Sequence, residues 1–146
     1  MDFIMQTDPS LSLLVLRLGL GITFFAHSTQ KVFGWFGGHG PKETINRWKQ
    51  RYAIPKAWGA IGVFTEFTGC LGVFVGFLTR PAALGLAIFM LVAIYKAHWG
   101  NGFFLAREQS QGRGHGIEYC LALFIMTIAL LFGGGGALSI DRLLTR

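Results

Sequence analysis

Acidic, basic and imidazole side chains lie within stretches of this sequence that are otherwise almost entirely apolar. His27 and Lys31 are four residues apart and would share one face of a helix, while Glu66 lies in the next apolar stretch. A charge at the centre of a membrane-spanning helix costs about 2.5–3.5 kcal/mol on insertion scales, so each such group needs a partner or a function. Together, these groups could bind a polar headgroup that enters from lipid, or could form a proton path.

Distances along the chain predict that these groups lie at similar depths. Glu66 is eight residues after Trp58, which corresponds to roughly 12 Å of helix. His27 precedes Phe36 by nine residues, so its depth would be similar. In antiparallel neighbouring helices, Glu66 would therefore come within reach of His27 or Lys31. Ion pairs that only fix the register of the helices are the alternative explanation.

The composition indicates which solvent surrounds the elements that carry these residues. The chain has 146 residues, of which 52% are hydrophobic and 14% charged, and its net charge is +6. A soluble domain has about 25% charged residues, so too little polar surface is available to face water. The basic residues lie beside Trp and Tyr in short loops, as a lipid surface favours, and no soluble basic domain is present to bind nucleic acid.

Cysteine and histidine usage limits the possible cofactors. Cys70 and Cys120 both lie in apolar stretches, which excludes a disulfide scaffold and an iron–sulfur cluster held by four thiolates of this chain. Two separate core thiols are favoured over a redox pair. The spacing of the histidines is not specific for a metal or a haem, so no metal site is predicted.

Four membrane spans are predicted, at about 11–36, 56–78, 81–99 and 116–132, within a single domain of residues 1–146. The predicted fold class is therefore all-α: a polytopic membrane protein with a four-transmembrane-helix bundle. The first long loop, 37–55, has apolar and basic residues on different helical faces, which predicts a short helix on the bilayer surface. No Lys or Arg precedes the first span, so we expect this helix to be kept rather than cleaved as a signal peptide.

The distribution of basic residues predicts the orientation in the membrane. The long loops would carry seven of them: Lys42, Arg47, Lys49, Arg51, Lys56, Arg107 and Arg113. The side of the termini would carry three: Arg80, Arg142 and Arg146. The positive-inside rule then places the long loops in the cytoplasm and both termini outside. Interfacial anchors are predicted on the long-loop side at Trp35, Trp48, Trp58 and Trp99.

Six segments, spread over nearly the whole chain, carry a resemblance to a known family: 16–21, 25–31, 66–67, 76–80, 114–119 and 137–142. They resemble the DoxX family of small bacterial membrane proteins, which is related to the DoxD subunit of thiosulfate:quinone oxidoreductase. The resemblance implies a four-helix protein of the bacterial inner membrane. It also implies a link to thiol, sulfur or quinone redox chemistry through partner proteins, but it identifies neither a substrate nor catalytic residues.

These observations lead to one predicted function and two alternatives. The predicted function is a quinone-associated membrane subunit of a redox assembly, with a soluble or membrane oxidoreductase as partner and no firmly bound cofactor. The predicted catalytic residues are Glu66, His27 and Glu118, and the predicted quinone-binding residues are Gln30, Lys31, His98 and Lys96. The alternatives are a small-solute carrier, for which a homo-oligomer would give more room, and a scaffold that recruits a soluble enzyme.

Overall fold

The computed structural model describes residues 2–105 and 114–145, and in these ranges the protein consists of helices joined by short loops, with no strands. The helices are α1 (Asp2–Met5), α2 (Leu11–Val32), α3 (Gly40–Tyr52), α4 (Lys56–Val75), α5 (Thr79–Ala93), α6 (Glu118–Gly133) and α7 (Ile140–Leu144). Short 3-10 turns lie at Trp35–Gly37 and Trp99–Asn101, and a π-helical turn, Ile94–His98, continues α5. The predicted all-α fold class is confirmed.

Four of these helices form the bundle. Helix α2 packs against α4, α4 against α5, and α5 against α6, while α2 also contacts α6. Three segments are long and apolar enough to cross a membrane: Leu11–Val32, Lys56–Val75 and Thr79–Asn101. Helix α6 is also apolar but has only 16 residues. The arrangement fits the predicted helical membrane bundle.

The buried faces of the bundle meet in one apolar core, which includes Leu20, Phe24, Val73, Leu86, Leu123 and Leu130. The outward faces carry exposed large apolar side chains, such as Ile22 on α2, Phe64 on α4, Ile88 on α5 and Ile125 on α6. Helices that are apolar on both their inner and outer faces are typical of proteins surrounded by lipid.

The helix ends differ from the predicted spans, and turn geometry explains the differences. Helix α2 ends at Val32 instead of Phe36 because Gly34 adopts a left-handed conformation, with φ 73°. Helix α4 ends at Val75 because Gly76, with φ 72°, closes a Schellman turn in which Phe77 N–H donates to Gly72 O over 2.9 Å. Helix α5 begins at Thr79, before the proline that the sequence suggested as its start.

The N-terminal and C-terminal segments meet at one end of the bundle. Gly136 N–H donates to Thr7 Oγ1 over 2.6 Å, and Ala137 N–H donates to Ser10 O over 3.0 Å. Helix α3 and the segments 100–105 and 114–117 lie beyond the opposite ends of the same spans, on the long-loop side. The orientation relative to the cytoplasm stays a prediction, and Arg107, Arg113 and Arg146, which contributed to it, lie outside the described residues.

Helix α3 confirms the helix predicted within the first long loop. It packs on α4, where a Cβ atom at Gly59 would lie 3.3 Å from Ile45 and one at Gly62 would lie 3.3 Å from Trp48. The cations Lys49 and Arg51 are exposed. The helix is therefore amphipathic, and its position on a bilayer surface stays a prediction.

Candidate functional site

An ion pair between α2 and α4 is the centre of the candidate site. Lys31 Nζ lies 2.6 Å from Glu66 Oε1 and 2.7 Å from Glu66 Oε2. Glu66 is only 1% exposed, whereas the Lys31 side chain is 21% exposed. The Lys31 ammonium also lies 5.4 Å from the centre of the Phe89 ring, within cation–π distance. A buried carboxylate needs such a partner, because desolvation without one would cost several kcal/mol.

A cavity of about 350 Å³ adjoins the ion pair. Its volume falls within the range of about 300–1,000 Å³ typical of small-molecule sites. Its apolar wall includes Phe24, Phe89, Met90 and Leu123. Its ionisable or hydrogen-bonding wall consists of His27, Lys31, Trp48, Tyr52, Glu66, Lys96, His98, His115, Tyr119 and Cys120. The cavity thus combines an apolar enclosure with a few polar groups, as ligand sites commonly do.

His27 lies across from α6 and meets a tyrosine there. The Tyr119 hydroxyl is 3.4 Å from His27 Nε2, and the two ring centres are 6.1 Å apart. Which of the two atoms donates depends on the tautomer of the imidazole. Helices α2 and α6 therefore contribute a hydrogen-bonded pair to the same cavity that Lys31 and Glu66 border.

The π-helical turn Ile94–His98 brings the end of α5 to this cavity. Lys96 and His98 both line it, and His98 Nδ1 donates to His115 O over 2.8 Å because a carbonyl oxygen can only accept. Asn101 Nδ2 donates to the same oxygen over 3.0 Å. π-Turns within helices are frequently found at functional sites. This turn ties the end of α5 to the segment that precedes α6.

Two of the predicted site residues lie elsewhere. Gln30 does not line this cavity, and its side-chain Nε2 donates to Phe36 O over 3.4 Å. Glu118 is exposed at the start of α6, where its Oε2 accepts from Leu105 N–H over 3.1 Å. Of the seven predicted catalytic and binding residues, the structure gathers His27, Lys31, Glu66, Lys96 and His98 around one cavity.

Tyr119 is a site residue that the sequence-based assignment did not include. The buried residues of α6 are Cys120, Leu123, Thr127 and Leu130. Tyr119 is four residues before Leu123 and so follows this inward face, whereas Glu118 is one position further round the helix. The period of the buried face would therefore have favoured Tyr119 over Glu118.

The four predicted tryptophan anchors divide into two groups. Trp35, Trp58 and Trp99 are exposed, and their position at a membrane interface stays a prediction. Trp48 is half-buried, lies 6.1 Å from the Phe89 ring and lines the cavity. In the structure, Trp48 therefore forms part of the cavity wall.

A second buried charge, Arg17, lies at the end of the bundle where the termini meet. It is 2% exposed and donates to three backbone carbonyls: Phe74 O at 2.5 Å, Ala137 O at 3.3 Å and Leu138 O at 3.3 Å. Within the described ranges, Arg17 Nε and Thr79 Oγ1 are the buried side-chain atoms that lack a hydrogen-bond partner. Arg17 thus stays away from the surface and forms no direct ion pair with any residue that the structure describes.

Asp141 completes this second cluster. It is 1% exposed, and its two carboxylate oxygens accept from Leu78 N–H at 2.7 Å and Thr79 N–H at 2.8 Å. The carboxylate therefore satisfies the first free amides of α5 and places a negative charge at the positive end of that helix. The cluster joins the C-terminal segment to the turn between α4 and α5.

Cys70 and Cys120 are buried free thiols, and Cys70 Sγ donates to Phe67 O over 3.0 Å. Within residues 2–105 and 114–145, no group of three or more His, Cys, Asp or Glu side chains is arranged to hold a metal ion.

A bundle of apolar helices with a buried acid–base pair beside a cavity defines a small polytopic integral membrane protein. Residues 12–99 match the DoxX family model, and the chain belongs to the DoxX family. It is also similar to the inner membrane protein YqjF of Escherichia coli (strain K12). The two are 26% identical over 147 residues, which cover 97% of this chain and 98% of YqjF. No solved structure matches the chain.

Proposed function

We propose that this chain is the quinone-binding membrane subunit of a redox assembly in the bacterial inner membrane. The observation that carries the proposal is the Lys31–Glu66 ion pair on the wall of a largely apolar cavity of about 350 Å³. A quinone headgroup is a flat, mostly apolar ring with carbonyl acceptors, so it suits a cavity of this kind. The inner-membrane location of the similar protein YqjF supports the location.

Hydrogen-bond donors are available for the carbonyl oxygens of a quinone. The Lys31 ammonium has three N–H groups, and two of them suffice for the two Glu66 oxygens, so one is left for a ligand. The Tyr119 hydroxyl on α6 and the His27 imidazole on α2 add a second donor. Phe24 and Phe89 provide aromatic surface for the ring.

The same residues suit the proton chemistry that quinone reduction requires. Lys31 holds its proton against the Glu66 carboxylate, so a proton can be passed to a carbonyl oxygen beside the pair. Electrons would come from the partner oxidoreductase of the assembly. The exposed cations of α3, including Lys49 and Arg51, would form a docking surface for an acidic region of such a partner.

The binding proposal is tested in nanodiscs with a short-chain quinone, measured as binding in excess of protein-free nanodiscs. We expect the combined change Glu66→Gln and His27→Ala to weaken binding by at least about tenfold, since a lost hydrogen bond to a charged group costs about 1.5–3 kcal/mol. The matched control is Glu43→Gln, which removes an exposed carboxylate outside the cavity. An unchanged dissociation constant in the double variant would remove the site assignment.

A further inference from the structure

A second cavity, of about 250 Å³, lies on the other side of Lys31. It is formed by the end of α2, the glycine-containing loop after it and α3, with the side chains of Gln30, Lys31, His39, Thr44, Arg47 and Trp48 in its wall. Lys31 and Trp48 are the residues that border both cavities. The Lys31 end of the ion pair therefore lies between the two cavities.

We propose that this second cavity is an aqueous entrance for protons to the Lys31–Glu66 pair. Lys31 is the group that transfers the proton, and Trp48 is the partition that separates the entrance from the first cavity. The inference deepens the proposed function and rests on it, because the protons serve quinone reduction at the first cavity.

The mouth of the second cavity is polar and exposed. His39 is exposed, and its Nε2 accepts from Arg47 Nη1 over 2.7 Å, while Arg47 Nε donates to Glu43 Oε1 over 2.9 Å. The Arg47 side chain is 55% exposed. Charged and imidazole groups at an open mouth hold water, so the entrance begins in a hydrated region.

A residue with a hydroxyl group lies in the less exposed part of the second cavity. Thr44 lines this cavity and is 8% exposed. A cavity of this size can hold several water molecules, since each occupies about 30 Å³ in the liquid. Water in the cavity would contact Thr44 and reach Lys31.

Trp48 is held in the position of a partition by its neighbours. Its ring lies 6.1 Å from Phe89 on α5, and a Cβ atom at Gly62 on α4 would be 3.3 Å from its Cζ3. A larger residue than glycine at position 62 would push the indole aside. The indole is therefore packed between both helices, unlike the exposed Trp58.

The transfer balances as a chain of proton movements. The Lys31 ammonium gives a proton to the Glu66 carboxylate, which leaves a neutral amine and a carboxylic acid. Glu66 then gives that proton to the carbonyl oxygen of the quinone as the partner oxidoreductase supplies the electrons. The amine takes a replacement proton that water in the second cavity relays from bulk solvent, and the sequence repeats to supply the second proton of the two-electron reduction. The other titratable or charged groups around the pair and its two cavities are His27, His39, Arg47, Tyr52, Cys70, Lys96, His98, His115, Tyr119 and Cys120.

Aqueous access to Glu66 can be measured with carbodiimides, which modify carboxyl groups covalently. The protein in nanodiscs is treated with a water-soluble carbodiimide or with the lipid-soluble dicyclohexylcarbodiimide. Mass spectrometry then gives the rate of modification of Glu66. Trp48→Ala removes the partition, Thr44→Phe fills the entrance, and Trp58→Ala is the matched tryptophan control.

We expect Trp48→Ala to raise the rate with the water-soluble reagent several-fold and Thr44→Phe to lower it several-fold. Trp58→Ala should leave it unchanged, and Thr44→Phe should leave the rate with the lipid-soluble reagent unchanged. Equal water-soluble rates in Trp48→Ala and Trp58→Ala would overturn the entrance. If Thr44→Phe slowed the modification of Glu66 equally with both carbodiimides, the proposed entrance would also be overturned, because that result indicates a collapsed site.

The measurement uses no quinone, so its outcome is independent of the proposed function. The expected rates together with absent quinone binding would remove the function and leave an aqueous access to the ion pair. Quinone binding together with rates that ignore Trp48 would keep the function and remove the entrance.

Discussion

Helix α2 carries a buried cation, Arg17, in its first half and a half-buried one, Lys31, in its last turn, and the two have different kinds of partner. Arg17, near the first turns, donates to backbone carbonyls of the α4–α5 turn region and the C-terminal segment. Lys31, in the last turn, donates to the carboxylate of Glu66 and borders two cavities. Arg17 is therefore enclosed by backbone groups, whereas Lys31 borders cavities that a ligand and water can enter.

This difference separates a structural charge from one that can take part in chemistry. Backbone carbonyls neither gain nor lose protons, so the Arg17 cluster can only hold segments together. A carboxylate and an ammonium can exchange a proton, and the cavity lets that exchange reach a ligand. Burial of a charge alone therefore does not indicate function. A functional role is indicated by a partner that can exchange a proton and by an adjoining cavity that a ligand can enter.

The largest effect on stability is expected from Arg17→Met. The change leaves three carbonyls and the nearby Asp141 without the guanidinium, so the free energy of unfolding should fall by about 3 kcal/mol or more. Unfolding by sodium dodecyl sulfate in mixed micelles measures it, with Arg51→Met on exposed α3 as the control. Quinone binding by the folded fraction should stay unchanged, and a loss of stability no larger than in the control would contradict the comparison.

Replacing both members of the Lys31–Glu66 ion pair is expected to have the opposite result: little change in stability but a loss of quinone binding. Lys31→Met with Glu66→Leu removes two charges together, so stability should change by no more than about 1 kcal/mol, because apolar replacement of a buried pair is often neutral. Quinone binding should be lost. The single change Glu66→Leu leaves the Lys31 charge alone and should be the less stable variant. Wild-type binding in the double variant would make the ion pair purely structural.

The smallest effect on quinone binding is expected from the removal of one hydroxyl group. Tyr119→Phe removes the group that meets His27, and it should weaken quinone binding about threefold, because a neutral hydrogen bond contributes about 0.5–1.5 kcal/mol. Tyr95→Phe is the matched control, since Tyr95 is 71% exposed and does not line the cavity. Equal dissociation constants in the two variants would exclude Tyr119 from the site.

The meeting of Lys31 and Glu66 could be predicted from the sequence because helical rise converts spacing into depth. Both residues are anchored to aromatic residues at known distances along their helices, and antiparallel packing then brings them to one level. The membrane spans could also be predicted from the sequence, because length and apolar content determine whether a helix can cross a bilayer. Only their ends were displaced, and single glycine conformations set the ends of α2 and α4.

Other parts of the site depend on contacts that spacing does not show. Gln30 and Lys31 differ by one position, about 100° of helix, and only the second faces Glu66. The π-turn that brings Lys96 and His98 to the cavity has no simple sequence signal. The partners of Arg17 are carbonyls from residues 57 and 120 or more positions away, which carry no side-chain signature.

The carboxylate that caps the first turn of α5 has a consequence for biogenesis. Asp141 is synthesised 62 positions after Thr79, whose amide it accepts. During synthesis, the first amides of α5 must therefore rely on water or headgroups until the later segment has been made. Locking of this turn thus depends on carboxyl-terminal residues that are synthesised after the whole α4–α5 hairpin.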